Sequence, residues 1–153
     1  MPGNISPVYS RHGAIGNSTV AAPTTAFPAL MQTLNAALDA ASGTVVTVFT
    51  ADTTNGSFLR SIMVKVGGAT AATTSAGVLR LFINNGAVTT TNTNNVFWKE
   101  LTLPVVTPSA TAPTPDYEIP ANFLLPAGHR IIALISATQT TAGYVVYGIG
   151  GHL

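Results

Sequence analysis

The side chains that could do chemistry are few and scattered. The acids are Asp39, Asp52, Glu100, Asp116 and Glu118. Asp116 and Glu118 stand two apart, which on a strand puts both on one face. Paired carboxylates can hydrolyse a glycosidic bond when a cleft fixes their separation; a solvated edge beside a proline-rich stretch is the simpler reading. Lys99 and Glu100 are adjacent, so on a strand they point to opposite faces and do not pair. His12, His129 and His152 lie far apart without the short spacings of metal-binding histidines. A metal would need symmetry-related copies around an axis, and His129 is expected to make ordinary turn hydrogen bonds. Trp98 with Tyr117, Tyr144 and Tyr147 would suit a sugar-stacking platform, but Trp98 fits core or interface packing better. There is no G-x-S-x-G elbow and no phosphate-cradling glycine motif. Gly148, Gly150 and Gly151 read as a bulge or a flexible tail. No catalytic, cofactor-binding or metal-ligating residue is assigned, no cofactor is expected, and an enzyme is not.

The composition points instead to burial. Of 153 residues only 7% are charged, six Lys or Arg and five Asp or Glu, while 46% are apolar. An ordinary soluble domain carries about 25% charge, and charge chiefly keeps surfaces in water and apart from one another. A net charge of +1 from scattered cations makes no basic stripe, so no nucleic-acid partner is expected. No apolar run approaches the ~20 residues a spanning helix needs, so no membrane partner is expected either. Met1-Pro2-Gly3-Asn4 lacks the basic start and apolar run of a secretion signal. The chain has no cysteine, which excludes disulfides and thiolate metal sites.

The elements that must position these residues read as strands. Residues 44–50 (TVVTVFT), 58–66, 78–83, 96–103, 117–119, 123–125, 130–137 and 143–149 are rich in β-branched and aromatic residues. Asn55-Gly56 and Asn84-Asn85-Gly86 signal tight turns. Residues 89–95 are a polar loop or a weak strand, and 104–116 carry four prolines that favour extended, ladder-free chain. Seven or eight strands without alternating helices predict an all-β protein, an antiparallel β-sandwich or jelly roll. Residues 1–42 form an N-terminal arm and connecting segment, and 43–153 the sandwich domain. Within the arm, 1–27 are either disordered or an extended segment that orders on a neighbour. Residues 28–41 (PALMQTLNAALDAA) space Leu30, Leu34 and Leu38 as a short helix would, with an irregular approach to the first strand as the alternative.

Several strands are apolar on both faces: Val45, Val46, Val48 and Phe49; Ile131 to Ile135; Tyr144 to Tyr147. A two-layer sandwich buries only one face of each sheet. The second face therefore needs cover, most simply another subunit, with the chain's own loops as the alternative.

The strings TVVTVFTA, LRLFINNG, NNVFWKELTLP, LLPAGHRI and GYVVYGIGG resemble small β-rich structural proteins of tailed bacteriophages and prophages. The resemblance covers about two thirds of the chain and implies a virion structural component; it carries no functional residue with it. With the low charge, the doubly apolar strands and the two arm-like segments, the leading expectation is an oligomeric capsid decoration or cement protein. It would be a homotrimer seated on the major capsid protein at the outer surface of a phage head. The alternative is a receptor- or carbohydrate-binding jelly-roll module of a phage tail or fibre, with loops 67–76, 87–95 and 138–142 as its rim.

Overall fold

Strands form where β-branched, leucine and aromatic residues run unbroken, and they stop at Asn-Gly, Pro-Ala-Gly and proline-rich breaks. A computed structural model of the chain describes residues 13–15, 30–31, 38, 40, 45–68, 72–139 and 142–152. Its strands are β1 (Gly13–Ile15), β2 (Leu30–Met31), β3 (Val46–Thr50), β4 (Ser57–Gly68), β5 (Gly77–Asn84), β6 (Asn95–Leu103), β7 (Asp116–Leu125), β8 (Arg130–Ile135) and β9 (Ala142–His152). All pairings are antiparallel. Sheet I runs β1-β9-β4-β7, with β2 also on β9, and sheet II runs β3-β8-β5-β6.

Successive strands alternate between the sheets except at β1 to β2, which both pair with β9, and at β5 to β6. Taking β1 and β2 together as one interrupted edge strand, the order is that of an eight-stranded jelly roll. The expected all-β sandwich is thus the fold, and β7 is one strand where the sequence suggested two short pieces. A register shift opposite Leu59 and Ser61 of β4, with Asn122 left-handed at φ 56°, lets that strand bend without ending.

The arm and the expected helix meet the described residues only in part. Gly13–Ile15 pairs with Ile149–Gly151 of the same chain, and Leu30–Met31 with Tyr144–Val145. Leu30 and Met31 are therefore strand, not helix; a period-four leucine pattern cannot tell an amphipathic turn from an edge strand when a sheet edge is open to pair. Apart from Leu38 and Ala40, the rest of 28–41 lies outside the described residues, as does 1–27 except for β1.

The core lies between the sheets. Leu59, Ile62 and Val64 of β4 and Tyr144 and Val146 of β9 face Val48, Phe49, Leu79, Leu81, Ile131 and Ala133 of sheet II. Fully burying a side chain of this size contributes about 1.5–3 kcal/mol. A register shift between Thr47 and Phe49 turns both Val48 and Phe49 inward. Phe49 then needs space, and β9 supplies it. A Cβ on Gly148 would sit 2.8 Å from Phe49 Cβ, and one on Gly150 would collide with the Phe58 carbonyl and reach the Phe49 ring. These glycines are neither bulge nor tail: they form the slot into which the Phe49 ring packs.

Candidate interaction surface

The alternation of each strand fixes what its other face offers. In sheet II the large apolar residues on the outer face of β8 and β5 do not meet solvent. Ile132 and Leu134 are 0% exposed and Phe82 1%, and Ala40 and Val45 pack on them as a second, smaller core. Ala40 is left-handed at φ 53°, a conformation that costs an L-residue about 1–2 kcal/mol; its buried methyl offsets about 0.8 kcal/mol of that. Ala40 and Val45 therefore cover the middle of this face, while at its edge Phe97 of β6 packs edge-on against Phe82 at 5.3 Å and stays 46% exposed. For β8 the cover is the chain's own, the alternative reading, rather than the second subunit expected as the simplest one.

In sheet I the outward face is different. Register places Phe58 beside Leu124, Ser61 beside Ile149, Met63 beside Tyr147, and Lys65 beside Val145. Met63, Val145, Tyr147 and Ile149 are half-buried, while Phe58 is 36% and Leu124 61% exposed. An apolar band thus crosses β7, β4 and β9 with its β7 end open to solvent. Ser61 is buried within it, and its hydroxyl has no hydrogen-bond partner among the described residues. The band is bounded by one exposed ion pair, Lys65 Nζ to Asp116 Oδ1 at 3.0 Å. The hydrogen bond and charge of Asp116 raise the Lys65 pKa above its ordinary value.

Several of the other charges act as structural partners, across strands or within a turn, rather than as chemistry. Arg80 Nε donates to Glu100 Oε1 at 2.8 Å across β5 and β6. Lys99 sits 5.5 Å from the Trp98 ring centroid and donates to the Pro120 carbonyl at 3.3 Å, tying the edge of sheet II to the edge of sheet I. Asp116 and Glu118 do share the outer face of β7, but Asp116 is taken by Lys65 while Glu118 stands beside Met63. Asp52 Oδ1 accepts from the backbone N–H groups of Thr54 and Asn55, a turn-forming role. Asp39 lies outside the described residues.

The aromatic platform is not assembled. Tyr144 is fully buried, Trp98 packs edge-to-face on Phe123 at 5.2 Å, Tyr117 packs against the core, and Tyr147 lies on the outer face of sheet I. His129 contacts the Ala127 carbonyl in its own turn, as expected. His12 lies outside the described residues, and nothing is assigned to the His152 side chain. Among the described residues no three His, Cys, Asp or Glu side chains are grouped to hold a metal.

The loops sort to two ends. Loop 72–76 is bound to 104–107 and to Gln139. Thr74 N donates to the Val106 carbonyl, Val106 N to Thr74 Oγ1, and Gln139 exchanges hydrogen bonds with the Ser75 backbone. Tyr144 Oη donates to the Pro104 carbonyl and also meets Thr74 Oγ1 at 3.1 Å. Desolvation raises the Tyr144 pKa above 10.0, so the phenol stays protonated and keeps donating. This latch fixes the base of the proline-rich stretch and was not legible in the sequence, since Thr74 and Tyr144 lie 70 residues apart.

At the other end Asp52 and Gly128 join loops 51–56 and 126–129, and Gly86 packs on the Gly128 carbonyl. Asn84, Asn94 and Asn95 bind one another and nearby carbonyls, so this polar loop is held by amides without charge. Loop 87–95 is therefore separated by the length of β5, about 25 Å, from loops 72–76 and 136–139. The three loops expected to form one rim do not share an end.

No protein-family model matches the chain, and no curated protein matches it.

Proposed function

We propose that this chain is a structural subunit of a bacteriophage virion: an oligomeric decoration or cement protein, expected as a homotrimer, that binds the major capsid protein on the outside of the head. The observation that carries this reading is the apolar band on sheet I, exposed at Phe58 and Leu124, in a chain with only 7% charged residues. Burial at ~25 cal/mol per Å² of apolar area is the one binding resource this surface holds in quantity, and near-zero net charge adds no repulsion between copies. Repetition over a shell multiplies a modest contact, which suits a surface whose main binding resource is apolar area. The rigid sandwich and the latched loops also support a role in which the molecule binds without rearranging.

The test is to purify the phage that carries this gene and locate the protein on the particle by labelling and density mapping. Regular density on the head surface, with loss of head stability when the gene is deleted, is the expected result. Density confined to the tail, or absence from the particle, would overturn the proposal.

A further inference from the structure

The chain holds two Asn-Gly steps, Asn55-Gly56 and Asn85-Gly86, both in loops at the same end of the sandwich. At such a step the glycine nitrogen, with no side chain at its own Cα to crowd it, can attack the asparagine side-chain carbonyl carbon. A C–N bond closes a five-membered cyclic imide, the C–NH2 bond breaks, and ammonia leaves with the glycine amide proton. Water then opens the ring to aspartate or isoaspartate.

The two steps are held differently. At the second, every reacting group is engaged. Asn85 Oδ1 accepts from Ala87 N at 3.0 Å, Asn85 Nδ2 donates to Asn94 Oδ1 at 3.3 Å, and Gly86 N donates to Asn84 Oδ1 at 2.9 Å. At the first, Asn55 is exposed and only its backbone N–H is tied, to Asp52 Oδ1 at 2.8 Å. Gly56 N makes one long hydrogen bond, to the Asp52 carbonyl at 3.2 Å. The Asn55 amide makes no hydrogen bond among the described residues and projects from the turn into water.

We infer that Asn55 is a site of spontaneous modification, deamidating through an imide with Gly56, while the asparagine network around Asn85 shields the second step. The product adds a carboxylate beside Asp52 and takes the net charge from +1 to zero. In so charge-poor a chain, that is a large relative change to this end of the molecule. The inference stands apart from the virion proposal and survives or fails without it.

The experiment is to incubate the purified full chain at mildly alkaline pH and follow both peptides by mass spectrometry. The readouts are the roughly one-dalton gain and the isoaspartate it leaves. Two modest hydrogen bonds on the Asn85 side chain predict that position 55 reacts at least about tenfold faster than position 85. In denaturant, where both steps are equally free, the rates should converge. Asn94→Ala should speed position 85, Asp52→Ala should speed position 55, and Asn55→Gln should abolish the dominant gain. Equal folded-state rates, a faster position 85, or no modification at either position would overturn the inference.

Discussion

The two outer faces of the sandwich are built from the same kind of sequence and end in different states. On sheet II, Ile132, Leu134 and Phe82 are sealed by Ala40 and Val45 of the same chain, and among the described residues only Phe97 at the β6 edge of that cluster stays exposed. On sheet I, Met63, Tyr147, Ile149 and Val145 form a comparable apolar band, yet Phe58 and Leu124 at its end stay exposed. A strand apolar on both faces is thus not in itself a sign of a subunit interface. What marks a candidate interface is the apolar face left over after the chain has covered what it can.

The largest effects should come from the sealed side and the core it backs. Leu134→Ala should cost the isolated fold about 2–5 kcal/mol, read as a fall in the denaturation midpoint. A surface-like loss below about 0.5 kcal/mol would show that the second core is not a core. Gly150→Ala should cost at least about 1–3 kcal/mol by overpacking, because the new methyl meets the Phe58 carbonyl and the Phe49 ring. Gly150→Ala should cost less in a Phe49→Ala background than in the wild type, by the part of its clash that falls on the Phe49 ring, although Phe49→Ala alone costs about 3–5 kcal/mol.

The latch comes next. Tyr144→Phe leaves the Pro104 carbonyl and Thr74 without their phenol, for a loss of about 1–3 kcal/mol. Because burial raises the folded-state pKa above the ordinary 10.0, the unfolded chain gives up this proton first. The stabilisation is complete below pH 10 and drains as pH climbs through 10 toward the folded-state value. Alkaline melts of the wild type should show that extra decline, and those of Tyr144→Phe should show less of it.

The smallest effects on folding belong to the open side. Ser61→Ala removes a buried, unpartnered hydroxyl and should leave stability unchanged or raise it by about 1 kcal/mol. A clear destabilisation would mean that the hydroxyl is satisfied in the assembled protein. Leu124→Glu should alter the unfolding free energy by no more than about 0.5 kcal/mol.

How much of this was legible in the sequence follows from the range of each interaction. The strands and their turns are local, so Val and Thr runs and the Asn-Gly steps placed most of them. The jelly-roll order was legible only as a class, because pairing partners such as β4 and β9 are far apart in the chain. The edge pairing of Leu30–Met31 overrode a helical leucine spacing, and the cover over Ile132 rests on one left-handed alanine that no periodicity announces. Gly148 and Gly150 looked like a slack tail because their reason, the Phe49 ring, sits in another sheet. The sequence located the surplus of apolar faces but not which of them the chain would use itself.

The most direct test of the open band is the solution mass of the wild type beside Leu124→Glu and Met63→Lys, by light scattering with matched thermal melts. A defined oligomer is expected for the wild type and smaller species for both variants, with melting behaviour that shows each variant still folded. A monomeric wild type, or variants that assemble as the wild type does, would contradict that expectation.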